Sequence, residues 1–103
     1  MTKEDILDII YSSVKILNKA KGINFEVVRV LNVLENKSEA SVEYRFPNGK
    51  LIKLHWGKSW LDSLDFDGSN YTNIKLPKSD NPKNYAIMKV MAYLWRKRGL
   101  ADD

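Results

Sequence analysis

The chain has 103 residues and a hydrophobic fraction of 44%, enough for one domain with a core that needs no covalent staples, and too apolar for a disordered segment. It contains no cysteine, which excludes disulfides, thiolate metal sites and cysteine nucleophiles. The net charge is +4, and all of the excess falls in residues 50–103, because the lysines and arginines of residues 1–49 are matched by aspartates and glutamates.

A positive half points to an anionic partner. No apolar leader with a small-residue cleavage site follows the first residues, and no apolar run approaches the roughly 18 residues of a membrane span. A cytoplasmic location and the absence of a membrane partner are the expectations.

Thr2 is placed to cap a first helix over Lys3–Lys21, with Asp5 in the capping-box position and Gly22 just past the end. Ile6, Leu7, Ile9, Ile10, Val14, Ile16 and Leu17 fill one arc at ~100° per residue, and Glu4, Asp8, Ser12, Lys15 and Lys19 fill the other. Asn24 to Leu34 reads as a strand rich in β-branched residues. Both of its parities are apolar. Phe25, Val27, Leu31 and Val33 lie on one and Val28, Val30 and Leu34 on the other. Such a strand is covered on both faces, by a homodimer partner for instance, or is bulged so that it switches face.

Ser41 to Phe46 alternates, with Val42, Tyr44 and Phe46 opposed to Ser41, Glu43 and Arg45. Pro47-Asn48-Gly49 is a hairpin signal. Lys50 to Trp56 returns with Ile52, Leu54 and Trp56 opposed to Leu51, Lys53 and His55. The stretch from Gly57 to Asn81 is harder to read. It suggests a short helix over residues 58–64 capped by Ser59, a polar turn, and a fourth, edge strand over Tyr71–Leu76 stopped by Pro77. Asn81-Pro82 opens a last helix that runs to Arg98 and ends at Gly99. Its apolar residues cover more than half its circumference, leaving Lys89, Arg96 and Lys97 to mark the exposed side.

The fold expected is α+β, in the order α-β-β-β-(β)-α. A three- to four-stranded antiparallel meander packs against the N- and C-terminal helices in a single domain over residues 1–103. This order resembles, at the level of topology, a double-stranded-RNA-binding domain. The resemblance stops at topology. Such domains open their last helix with a lysine pair and alanines, whereas Pro82-Lys83-Asn84-Tyr85-Ala86-Ile87-Met88-Lys89 has one loosely matching lysine and bulky residues.

Two constellations carry functional expectations. The first is basic and interleaved with aromatics: Lys50, Lys53, His55, Lys58 and Trp60, then Lys75, Lys78, Lys83 and Lys89, and finally Trp95-Arg96-Lys97-Arg98. Lysine and arginine neutralise phosphates, and exposed aromatics stack on bases. Lys53, His55, Lys58, Arg96, Lys97 and Arg98 are the candidate contacts, with Arg45, Lys53 and His55 expected close together on the polar sheet face. Trp95 falls on the buried arc of its helix. Arg96, Lys97 and Arg98 diverge by about 100° each, so they cannot all join one patch.

The second constellation is the acidic stretch of residues 62–70. Setting Gly68 at the sixth position of a calcium loop leaves Ser63 and Ile74 where Asp and Glu are required, so an EF-hand is excluded. A polar turn is the expectation. His55 is the only histidine, so it cannot build a multi-histidine zinc site, and the sequence singles out no nucleophile or acid to complete a triad with it. No phosphate loop, dinucleotide fingerprint or nucleophile elbow is present.

The expectation is therefore a non-enzymatic binding module without cofactor or metal, contacting nucleic acid through strand three and the last helix. The alternative is a protein-binding adaptor or inhibitor, of the kind carried by phages and mobile elements. It would act through the sheet edge, the Val28/Val30 face or the acidic loop.

Overall fold

The computed structural model describes residues 1–64, 71–76 and 81–98. Helix α1 spans Lys3–Lys21. The Thr2 hydroxyl accepts from the Asp5 amide at 3.1 Å, the Asp5 carboxylate accepts from the Thr2 amide at 3.2 Å, and Gly22 closes the helix with φ 63°. That left-handed conformation is one a Cβ would strain. Beyond it, the Asn18 side-chain amide holds both the N–H and the C=O of Phe25 at 2.8 Å. This clamp fixes where the chain leaves the helix and enters the sheet.

Strands β1 (Glu26–Leu34), β2 (Glu39–Arg45) and β3 (Leu51–Gly57) form an antiparallel meander in the order β1-β2-β3, with a 3-10 turn over Glu35–Lys37 between the first two. β2 and β3 pair without interruption, and Gly49 takes φ 91° in the turn between them. β1 does not pair so regularly. The register slips between Val27 and Arg29 and again between Val30 and Asn32, so Val28 and Leu31 are the extra residues of two bulges.

The bulges resolve the doubly apolar first strand. Val27, Val30 and Val33 stand opposite Tyr44, Val42 and Ala40 and pack on the core. Between them, Glu26, Arg29 and Asn32 stand opposite Arg45, Glu43 and Ser41. A three-residue repeat thus keeps one apolar face in a strand whose side-chain period is two. The expected Val28/Val30 face does not exist, because Val30 is turned to the core.

Helix α2 spans Lys58–Ser63, capped by Gly57 without a side-chain bond rather than by Ser59. The expected fourth strand is also corrected: among the described residues the sheet has three strands. Tyr71 and Thr72 are helical, and Asn73 has φ 58°. The Thr72 hydroxyl, in a buried side chain, accepts from the Ile74 amide at 3.2 Å. This local side-chain turn competes with an extended ladder.

Helix α3 spans Pro82–Lys97, with the Asn81 side chain accepting from the Lys83 amide at 2.9 Å. Gly99 and most of the acidic stretch, residues 65–70, lie outside the described residues.

The core joins Ile6, Ile9, Ile10 and Leu17 of α1 and Val90, Met91 and Leu94 of α3 to Val42, Tyr44, Leu54 and Trp56 of the sheet. Both long helices therefore cover the same sheet face. They run parallel, because Asp8 meets Lys83 near their starts and Lys21 meets Trp95 near their ends. Their negative dipole ends lie together, and cations in their last turns complement both.

Lys89 departs from expectation. Its residue is only 5% exposed, and its ammonium donates to the Leu64 carbonyl at 2.8 Å and lies over the Tyr85 ring. The long stem is buried while the charge reaches polar partners. No helix among the described residues is long and apolar enough to cross a membrane.

Candidate nucleic-acid interface

The six candidate residues divide among three places. Lys53 and His55 are exposed on the outer sheet face, away from the helices. Lys58 opens α2 and lines a groove of about 560 Å³ with Met1, Leu61, Asp62, Asn81 and Tyr85. Arg96, Lys97 and Arg98 lie at the far end of α3, whose 16 residues put about 22 Å between its two ends at ~1.5 Å per residue.

On the outer face, register decides the electrostatics. Lys53 stands opposite Glu43, and Arg45 stands opposite Leu51, so the expected trio of Arg45, Lys53 and His55 forms no bare positive patch. Arg29 Nε lies 3.1 Å from Glu43 Oε1, and Arg45 Nε lies 3.3 Å from Glu26 Oε2. Glu43 is only 6% exposed, covered between its cross-strand neighbours Arg29 and Lys53. The cations Arg29, Arg45 and Lys53 are balanced by Glu26, Glu39 and Glu43. His55 has its own partners, with Nδ1 2.8 Å from Ser41 Oγ and Nε2 3.6 Å from Glu39 Oε2.

The helix end is built differently. The Arg98 guanidinium lies 3.5 Å from the centroid of the Trp95 ring, and Lys21 Nζ, from α1, lies 4.9 Å from the same centroid. Lys97 Nζ is 5.7 Å from Tyr93, whose ring also meets Trp60 edge-on at 5.0 Å. Arg96 lies 5.5 Å from Tyr71. Trp95 and Tyr93 are half-buried against the core, so they are fixed platforms. Among the described residues no carboxylate forms an ion pair with Lys21, Lys97 or Arg98.

A cation on an aromatic face keeps its full charge and gains ~0.5–1 kcal/mol at an exposed site. Arg98 Nη1 donates to the Trp95 carbonyl, and the other guanidinium N–H groups are of the kind that pair with phosphate. The divergence of Arg96, Lys97 and Arg98 is real, since each rests on a different ring. Sequence reasoning missed Lys21. The available signal was that two helices sharing one core and ending in cations place those cations together when they run parallel.

Among the described residues no group of three or more metal-ligating side chains converges. Comparison of the chain with protein-family models, curated proteins and solved structures finds no match.

Proposed function

We propose that the chain is a small binding module that contacts nucleic-acid phosphates through the C-terminal end of its helix pair. The observation that carries this reading is the Trp95 ring, which holds Arg98 and Lys21 from two different helices with no carboxylate among the described residues to neutralise either. Lys97 on Tyr93 extends the same surface, and Arg96 flanks it. Such a surface reads backbone charge and no sequence. Lys53 and His55 sit on a face of balanced charge, and Lys58 sits near the other end of α3, so the reading narrows to the helix end.

Mobility-shift titrations at several salt concentrations test this. The native protein is expected to bind short DNA or RNA, with affinity falling as salt rises. Lys21→Glu/Lys97→Glu/Arg98→Glu weakens binding and flattens the salt slope by about 0.7–0.9 for each phosphate that is no longer neutralised. No binding at low salt, or binding indifferent to the three reversals, overturns the reading.

A protein-binding module is the second reading. It is favoured by β3, an edge strand of the sheet that carries Leu51 at 52% exposure.

A further inference from the structure

The outer sheet face carries a second arrangement, independent of the helix end. The two registers place Asn32 of β1, Ser41 of β2 and His55 of β3 in one row across the sheet. Ser41 Oγ lies 2.8 Å from His55 Nδ1. On the other side of the imidazole, Glu39 Oε2 lies 3.6 Å from Nε2.

Glu39 reaches His55 because its cross-strand partner is Gly57. A Cβ at Gly57 would stand 2.7 Å from Glu39 Cγ, so the missing side chain is the space that the Glu39 stem occupies. Asn32 is exposed and stands directly across from Ser41, on the side away from His55. Its Cβ is then ~5 Å from that of Ser41, within reach for a side-chain amide. The Ser41 hydroxyl beside the imidazole, with the Glu39 carboxylate at the other ring nitrogen, supplies a nucleophile, a base and an orienting group, and Asn32 is the amide nearest to that hydroxyl by register.

We propose that this row is a reactive-serine site that accepts acyl groups from small activated esters. Ser41 is the nucleophile and His55 its base, the Asn32 amide donates to the oxyanion, and Glu39 is the positioning residue for the imidazole. With Nδ1 unprotonated, the Ser41 hydroxyl donates to it and Nε2–H faces Glu39. Oγ attacks the acyl carbon, and its proton passes to Nδ1. The carbonyl π pair moves onto the oxygen beside Asn32. Collapse of the tetrahedral adduct breaks the bond to the leaving alcohol, which takes the proton from Nδ1. The products are O-acyl-Ser41 and the free alcohol. Water, deprotonated by His55 in the same way, then releases the carboxylic acid and restores the serine.

The substrate class follows from the setting. The row lies on an open face, and the His55 side chain is 61% exposed. Binding energy from a pocket therefore contributes little, and the acyl donor must bring its own reactivity.

The test is acetylation of the whole chain by p-nitrophenyl acetate, followed by intact mass and peptide mapping. A single acetyl group is expected on Ser41. Ser41→Ala removes that adduct, and His55→Gln slows its formation by roughly a hundredfold, the lower range of general-base contributions. Glu39→Gln slows it too, and Glu39→Asp restores part of the rate. Gly57→Ala, whose backbone is extended (φ −157°) and accepts a Cβ without strain, slows it by displacing Glu39. Thermal melts of each variant report folding separately. Acetyl groups on lysines alone, or a Ser41 adduct formed at the same rate in His55→Gln, overturn the proposal.

Discussion

The outer sheet face and the C-terminal end of the helix pair contain the same kinds of cationic residue and dispose of their charge in opposite ways. On the sheet, antiparallel register sets a carboxylate across from each of Arg29, Arg45 and Lys53. The result is two cross-strand ion pairs, Arg29–Glu43 and Arg45–Glu26, with Lys53 opposite the same Glu43, on a face of balanced charge. At the helix end, Lys21, Lys97 and Arg98 rest on indole and phenol rings. A ring face attracts a cation without cancelling it. A count of lysines and arginines along the chain therefore overstates the field of the sheet and understates that of the helix end, where α1 adds Lys21.

The sharpest way to break this contrast is to remove the platform. Trp95 packs half-buried against the core and also carries two cations. Trp95→Ala is expected to cost about 2–3 kcal/mol, below the ~3–5 kcal/mol of a fully buried tryptophan. Trp95→Phe should recover much of that. The matching change on the sheet, Arg29→Ala, should cost about 1 kcal/mol, because the Arg29 side chain is 62% exposed and Lys53 still stands opposite the buried Glu43 when Arg29 is gone. Urea denaturation of the three variants decides it. Equal losses in Trp95→Ala and Arg29→Ala would mean that the rings at the helix end are no more structural than the sheet pairs.

How much of this was legible beforehand follows from the range over which each feature is encoded. Thr2, Asp5 and Gly22 mark the limits of α1 because capping is local. The alternation in β2 and β3 declares itself for the same reason. The bulges of β1 do not, since Val27, Val30 and Val33 become one face only against Tyr44, Val42 and Ala40. Lys89 reads as exposed because its acceptor, the Leu64 carbonyl, belongs to another part of the chain. The pairing of Ser41 with His55 was within reach, because both lie seven positions from Asn48, at the centre of the hairpin turn. Lys21 could be placed beside Trp95 only once α1 and α3 were known to be parallel, and nothing local encodes that.

A smaller effect sharpens the comparison from the sheet side. Glu43 sits between Arg29 and Lys53, and its side chain is 8% exposed. Glu43→Gln keeps the shape and removes the charge, so two cations face each other across an amide. The expected loss is about 1–2 kcal/mol, the range for a hydrogen bond to a charged group that is only partly replaced. The same substitution turns the outer face positive. If the helix end is the nucleic-acid surface, the variant binds short nucleic acid almost as the native chain does. A gain as large as the loss from Lys97→Glu would move the interface to the sheet.

The smallest expected effect lies at the opposite end of the helix pair. There Lys83 Nζ meets Asp8 Oδ2 at 2.9 Å, and Asp8 also accepts from the Ser12 hydroxyl at 2.7 Å. The bonds from Lys83, first, and from Ser12 hold the Asp8 carboxyl below its ordinary value of 3.8, and the bond to Asp8 raises Lys83 above its ordinary 10.5. For Asp8 the folded pKa is the lower one. Its contribution to stability is present above the unfolded value and is lost as the pH falls through the folded one. For Lys83 the folded pKa is the higher one, so the contribution is present below the unfolded value and fades as the pH rises through the folded one. The pair therefore supports the fold evenly across the neutral range and weakens at both extremes. Both side chains remain well solvated, so screening holds the effect small. The difference in urea midpoint between the native chain and Asp8→Asn should be flat from about pH 5 to 9 and shrink below about pH 4. A difference that persists undiminished into strong acid would show that Asp8 acts through its hydrogen-bonding shape, with no contribution from its charge.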